Sequence, residues 1–359
     1  MPSLRTVTLE RSAIRNNKTL CIICQVASHS AVYKINILDG RVMCHDKALR
    51  PHCILETSMC DVEVGILNRL HRPWHFVCDS TFIYAAPSIE NKVYTCCLDQ
   101  GNINHTVSTW PVGVEFLLVV RVGSKVVGIS DSFRNVYHLS QGEWTCHKTS
   151  GLPDLDKKVV LSGYVVLSSS TFMVSNAENN YCFLHDKWSV VKPFLKPELL
   201  PSGWQLLPSG WPMSACLSEG CMFAKGFVYT CSYGGLDAYE LVEQGDSYYL
   251  GERVGLQFSW WNCWECNRMC LEYIGEDTSS GAIMFCVVTG DYFLLLSGLE
   301  DVRPVRITTV QVKTEEMPDG KLKPKTMSHV DIGTIFVEWY GGAVWTRDCF
   351  AAATASIQA

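Results

Sequence analysis

The chain has 359 residues and a mass of 40.2 kDa, enough for two ordinary domains or one large β architecture. At 47% hydrophobic and 18% charged residues it is neither disordered nor fibrous, and it has ample material for a buried core. Thirty Lys and Arg against 36 Asp and Glu give a net charge of −6, which offers no electrostatic footprint for a phosphate backbone, so nucleic acid is not an expected partner.

From the N-terminus, Arg5, Glu10, Arg11 and Arg15 interrupt the opening residues, so no apolar run of the kind a secretory signal needs is present there. The expected compartment is therefore the cytoplasm, the nucleus or both, and the 18 cysteines are expected to be reduced and mostly buried as small hydrophobes. A short apolar run, a small polar turn and a second apolar run containing Tyr then recur six times. They are LCIICQVASHSAVYKINI, TFIYAAPSIENKVYTCCL, KVVGISDSFRNVYHL, TFMVSNAENNYCFL, GFVYTCSYGGLDAYEL and AIMFCVVTGDYFLL. The equivalent tyrosines are Tyr33, Tyr94, Tyr137, Tyr181, Tyr239 and Tyr292, spaced by 61, 43, 44, 58 and 53 residues with a mean near 52.

A period of that size, built from β-branched and aromatic runs without helical periodicity, predicts one four-stranded propeller blade per repeat. Inner strands are expected at His75–Cys78, Phe116–Val120, Val159–Leu167 and Met269–Ile274, and outer strands at Glu143–His147 and Lys187–Val191. The first repeat has a weak inner strand at Thr6–Glu10, and His329–Trp339 is a strand without a blade. Pairing the C-terminus with the first blade would remove both exposed edges. The expectation is one all-β domain over residues 1–359, a six-bladed propeller closed by a C-terminal strand. The charged stretch Lys313–Lys325 is expected to be a long loop in the last blade. Gly281–Leu299 is apolar enough to suggest a membrane span, but Gly290 and Asp291 break it, so a tight hairpin is expected and no membrane partner.

Two segments, VYHLSQGEWTCH from Val136 and YCFLHDKW from Tyr181, place Trp144 and Trp188 seven residues after Tyr. They resemble the Tyr and Trp of a kelch repeat, and Gly234 and Gly235 match the double glycine that such repeats carry before the Tyr. Over most of its length the chain also resembles kelch-like and F-box-associated propeller proteins of grasses, without an F-box. The resemblance implies a plant protein-interaction propeller.

The chain has no glycine-rich phosphate loop, nucleophile elbow or zinc-protease helix signature, which points away from the commonest enzymes. Cys21 with Cys24, and Cys96 with Cys97, sit in predicted strands where their faces alternate and a shared ion is disfavoured. Cys263, Cys266 and Cys270 form the best candidate zinc set, because a turn between blades would bring them together, although zinc wants a fourth ligand that is not adjacent. Buried thiols are the expected outcome, with no cofactor or metal. His71 and His75 lie in a loop entering a strand, where four-residue spacing has no helical meaning.

Tryptophan placement is more informative. In a four-stranded blade the turn between strands two and three and the connection to the next blade emerge at one end. Trp74, Trp110, Trp204, Trp211, Trp260, Trp261 and Trp264 fall in or beside those connections, and the turns carrying Asp131, Arg134, Asn176 and Glu178 belong to the same end. Large aromatics beside a few polar groups suit a protein-binding surface, and a small molecule would also fit such a face. The leading expectation is a non-catalytic adaptor that binds a protein partner. A metal-assisted enzyme or small-molecule modifier at the channel mouth, or a carbohydrate-binding propeller, are the alternatives.

Overall fold

The computed structural model describes 25 β-strands and the turns beside them; residues 1–17, 43–52, 57–73, 105–113, 151–160, 194–220, 258–268, 291–301, 339–348 and 357–359, with several short turns, lie outside the description. All regular structure among the described residues is β, as the sequence predicts, and no helix there is long and apolar enough to cross a membrane.

The strands form antiparallel groups of four that follow one another along the chain. The second group is β5 (Trp74–Cys78), β6 (Phe82–Pro87), β7 (Tyr94–Cys97) and β8 (Ile103–Asn104). Next come β9 (Phe116–Val122), β10 (Lys125–Ser130), β11 (Asn135–Ser140) and β12 (Glu143–Lys148). The fourth group is β13 (Leu161–Val166), β14 (Phe172–Asn176), β15 (Asn180–Leu184) and β16 (Lys187–Pro193). The fifth is β17 (Met222–Ala224), β18 (Phe227–Ser232), β19 (Gly235–Gln244) and β20 (Ser247–Gln257). The sixth is β21 (Met269–Glu276), β22 (Ile283–Gly290), β23 (Val302–Glu316) and β24 (Leu322–Glu338).

The first group differs, because both ends of the chain build it. β1 (Lys18–Gln25) pairs on one side with β2 (His29–Leu38) and on the other with β25 (Cys349–Ser356), in the antiparallel register Lys18 to Ser356 through Gln25 to Cys349. The short strands β3 (Arg41–Val42) and β4 (Cys53–Glu56) share the outer side of β2. The inner position expected for Thr6–Glu10, which lies outside the described residues, is held by β25. His329–Glu338 is the far half of β24 rather than a free closing strand.

The first strands lie side by side: β5 beside β9, β9 beside β13, β13 beside β17, β17 beside β21, and β25 beside both β21 and β5. Packing is therefore face to face between neighbouring sheets. Leu118, Val120, Ile129 and Val136 of the third group meet Phe172, Val174, Phe183 and Trp188 of the fourth. Val165, Met173, Cys182 and Val191 meet Val228, Tyr239, Tyr248 and Leu250, and Phe227, Tyr229, Leu236 and Leu256 meet Leu271, Phe285, Val287 and Val310.

A sheet covered on both faces needs apolar side chains in both directions, and β9 is accordingly buried at five of seven positions while β12, at the outer edge, is mostly exposed. β16 departs from that gradient. It runs parallel to β20 through Lys192–Tyr249 and Pro193–Leu250, joining the fourth and fifth groups into one eight-stranded sheet, and its Trp188 and Val191 are buried. The recurring tyrosines share one structural address. Tyr33, Tyr94, Tyr137, Tyr181 and Tyr239 all fall on the third strand of their sheet, and the four whose side chains are described are buried. In the sixth group that strand is β23, which begins at Val302. Tyr292 lies before it, outside the described residues, so β22 pairs with a later segment than the expected tight hairpin.

One glycine is required by packing. The ring of Phe116 lies over Gly128, where an added Cβ would come within 2.4 Å of it, and Phe116 also meets Tyr137 edge-on and Trp144, each at 5.2 Å.

Within Lys313–Lys325, Lys313–Glu316 and Leu322–Lys325 are strand rather than parts of a long loop. β23 and β24 continue past the last pairing with β22 at Ile283–Val312 and form a two-stranded projection, Lys313–Glu316 against Leu322–Lys325. Thr314 and Pro324 share one face, and Pro324 is buried there; Lys313, Glu315, Lys323 and Lys325 share the other, with an ion pair of 3.8 Å between Lys325 and Glu315. Lysines and a proline on an edge strand blunt pairing with other chains.

Candidate functional site

An up-and-down sheet has two ends. The turn between its second and third strands and the connection to the next sheet lie at one end; the other two turns lie at the opposite end. At the first end, the turn from β10 to β11 is built around Phe133, a non-glycine residue in the left-handed region at φ 57°. Its ring is buried between Tyr181 and Trp188 of the next sheet, with centroids 5.8 and 5.0 Å away. The Phe133 carbonyl accepts the Trp188 indole N–H at 3.1 Å and the Thr149 hydroxyl at 2.5 Å. Ser130 closes the turn, accepting the Phe133 N–H on its carbonyl and donating its hydroxyl to the Asn135 carbonyl, each at 3.1 Å. Arg134 follows directly, exposed, and its carbonyl accepts the Thr149 N–H at 2.8 Å. The buried phenyl thus anchors a turn that presents a guanidinium at the rim.

Asn176 ends β14 opposite Leu161, at the same end of the next sheet, and Trp74 opens β5 opposite Pro87. Asp131, Glu178, Trp110, Trp204, Trp211, Trp260, Trp261 and Trp264 lie outside the described residues. So do Cys263 and Cys266, whereas Cys270 is the second residue of β21. Among the described residues no group of three or more His, Cys, Asp and Glu is placed to hold a metal ion. Of the expected face, the structure therefore brings Arg134, Asn176 and Trp74 to that end of three successive sheets.

Asp237, which the sequence does not single out, also lies near this end. It sits on β19 two residues after the turn from β18, is 3% exposed, and pairs with the half-exposed Arg253 at 2.9 Å. In GLDAYEL the aspartate would read as an outward strand residue. It is buried because it shares a face with Tyr239, which packs among Val165, Met173 and Cys182 of the neighbouring sheet.

At the opposite end Lys225, in the left-handed region at φ 50° in the turn from β17 to β18, pairs with Glu276 of the next sheet at 2.6 Å. Asp277 accepts hydrogen bonds from the Ser280 hydroxyl, then the Ser279 hydroxyl and N–H, which hold its carboxyl below the usual range. These are closed turn networks between exposed groups, and exposed pairs contribute at most about 1 kcal/mol.

The thiols divide by environment. Burial pushes Cys182 up to about 12, with the negative charge of Glu243 adding to it. Burial likewise raises Tyr248 to about 12, followed by Cys182 and Glu243, and its hydroxyl donates to Glu243 Oε1 at 3.4 Å. Cys146 on the outer strand β12 is exposed. The reagent reaches Cys146 and not Cys182, whose thiolate is also disfavoured by burial, so at pH 7.5 Cys146 is expected to alkylate first while Cys182 stays unmodified until denaturant is added. Mass mapping of iodoacetamide adducts checks this, and labelling of native Cys182 at the rate of Cys146 would contradict the buried environment.

No family model matches the chain, and no curated protein matches it. Solved structures similar to it include the N-terminal domain of Nup159, at 9% identity over 79% of this chain and 70% of that one, with a TM-score of 0.40. Another is the β-propeller domain of Cps50 (Swd1) from Myceliophteria thermophila, at 8% identity over 72% and 74%, TM-score 0.35. Apo AztD from Citrobacter koseri is similar at 11% identity over 95% and 99%, TM-score 0.33. Likeness this distant identifies neither a partner nor a reaction, and what the chain is similar to is an all-β architecture of four-stranded antiparallel sheets.

Proposed function

We propose that the chain is a non-catalytic protein-interaction module of the cytoplasm, the nucleus or both, built as a six-bladed kelch-like propeller that β25 closes. The ring reading is supported by the succession of first strands, each beside the next, with β25 beside both β21 and β5. Its kelch-like character rests on the seven-residue spacing of Tyr137 to Trp144 and Tyr181 to Trp188.

One observation carries the binding surface. The segments 57–73, 105–113, 194–220 and 258–268 each join the last strand of one sheet to the first strand of the next, so their ends belong to the end that carries Arg134 and Asn176. Those segments and the residue that follows the first of them hold Trp74, Trp110, Trp204, Trp211, Trp260, Trp261 and Trp264, and the turns between second and third strands add Asp131 and Glu178. Aromatic anchors ringed by polar groups are where binding energy between proteins concentrates.

Affinity capture with the full chain as bait, followed by titration of the captured partner, tests the reading. Trp211→Ala or Trp261→Ala is expected to weaken binding by roughly 1–4 kcal/mol with the melting temperature unchanged. Tyr137→Ala, which empties a buried site, is expected to lower the melting temperature instead. Loss of binding on changing Lys225 or Lys323, with both Trp variants binding normally, would move the surface to the opposite end.

A further inference from the structure

β12 forms the outer edge of the third sheet. Its one strand neighbour among the described residues is β11, the six pairs from Asn135–Lys148 to Ser140–Glu143 run without a bulge, and Glu143, Thr145, Cys146 and Lys148 are exposed. The other outer strands are guarded. β3, β4 and β8 have two to four residues, β16 and β20 pair with each other, and β24 carries Pro324, Lys323, Lys325 and two register shifts. Short length, cover, bulges, proline and lysine keep an edge from pairing with another chain, and of these β12 has one lysine, at its last residue.

The alternation of the main chain fixes which groups this edge presents. The Thr149 N–H turns inward to the Arg134 carbonyl, and the Ser150 carbonyl turns outward to the Trp188 N–H, both at 2.8 Å. Counting back in twos, the N–H and C=O of Lys148 and Cys146 also point outward. Ser150 is already bridged to Lys187, so the available stretch is Glu143–Lys148.

We propose that β12 pairs antiparallel with β12 of a second copy of this chain, in the register centred on Cys146. Charge selects that occupant. Glu143 opens the strand and Lys148 closes it, so an antiparallel copy brings the acid of each chain to the basic end of the other, whereas a parallel one sets like charges side by side. In this register Cys146 exchanges both main-chain hydrogen bonds with Cys146 of the second copy, Lys148 falls opposite Trp144, a cation beside an aromatic ring, and Thr145 falls opposite His147. Moving the centre by one residue leaves fewer outward-facing pairs within the two strands. So short an edge buries less than the roughly 1,200 Å² of a standard stable interface, and the dimer is a reversible one.

Sedimentation velocity of the full chain with reductant, from about 10 μM to about 1 mM, tests the pairing, and dimer is expected to build up across that range. Cys146→Lys and Cys146→Glu each set like charges against each other on the two-fold axis, so each should stay monomeric, and their equimolar mixture should dimerise again. Cys146 is exposed, so neither variant should alter the melting curve. If one does, crosslinking of the parent decides. The Cα atoms of such a pair lie about 5.5 Å apart, within disulfide reach. Two copper(II) phenanthroline ions, taking one electron each while the thiol protons pass to solvent, should therefore join Cys146 to Cys146. Lys148→Glu keeps the thiol and reverses the charge match, so it should slow that crosslink at least about fivefold, whereas a collisional crosslink would keep its rate. A parent chain that is monomeric throughout, a dimer that persists in both Cys146 variants, a mixture that stays monomeric, or a crosslink indifferent to Lys148→Glu would each overturn the pairing.

Discussion

Deleting Cys349–Ser356 is expected to make the protein aggregate and to broaden its melting transition. The strand supplies the whole inner side of β1, with eight residues in register from Lys18–Ser356 to Gln25–Cys349. Without it the backbone donors and acceptors of β1 on that side lose their partners, and β5 and β21 lose the strand that lies beside both. An unpaired strand edge is a template for pairing with other chains. Because β25 is joined to the first sheet from the far end of the chain, the loss is also one of a long-range pairing, so the remaining sheets should melt over a broader range and at lower temperature. Size-exclusion chromatography and thermal circular dichroism check this, with a chain ending at Ser356 as the control that keeps β25. A monomeric deletion variant with the parent melting curve would show that the pairing of β25 contributes little and would remove the main support for a closed ring.

The parts of this architecture that were readable in advance are those where strands pair locally. A hairpin must alternate or run apolar on both arms, so KVVGISDSFRNVYHL announces β10 and β11, and its Tyr137 marks the third strand because a sheet covered on both faces buries a large ring there. The projection of β23 and β24 was not readable. Its outward face is Lys313, Glu315, Lys323 and Lys325, its inward face includes a threonine and a proline, and a ribbon held by backbone pairing beside water carries no hydrophobic period. β25 was hidden for a related reason. CFAAATAS is small and nearly featureless, and its place depends on a partner more than 300 residues away in sequence.

For the candidate surface, only strand counting was available. Which end of a sheet a segment leaves from follows from counting strands, and that assigns Arg134 and Asn176 to corresponding ends of two neighbouring sheets. The fine structure of the same end depends on contacts between sheets that no local pattern encodes. Phe133, in the middle of a polar turn, reads as an exposed residue and is in fact the plug between two sheets; Asp237 reads as a surface acid and is buried beside Arg253.

That plug leads to the second large expected effect. Trp188 is 1% exposed, its ring lies 5.0 Å from Phe133, 4.9 Å from Phe183 and 5.7 Å from Phe172, and its indole N–H donates to the Phe133 carbonyl. Trp188→Ala should therefore cost about 3–5 kcal/mol, the range for emptying a buried aromatic site. Trp188→Phe isolates the polar part. It retains much of the ring contact and forfeits the indole hydrogen bond, but Thr149 still donates to the same carbonyl, so the acceptor is not orphaned and the loss should stay near 1 kcal/mol beyond any packing change. Trp144, the equivalent residue of the preceding sheet, is only half-buried and meets Phe116 of β9, so Trp144→Ala should cost clearly less than Trp188→Ala. Urea titrations with unchanged m-values would read these differences directly. Equal losses for Trp144→Ala and Trp188→Ala would mean that the two tryptophans play one repeated packing role, and that the Phe133 plug contributes nothing particular to the junction of the third and fourth sheets.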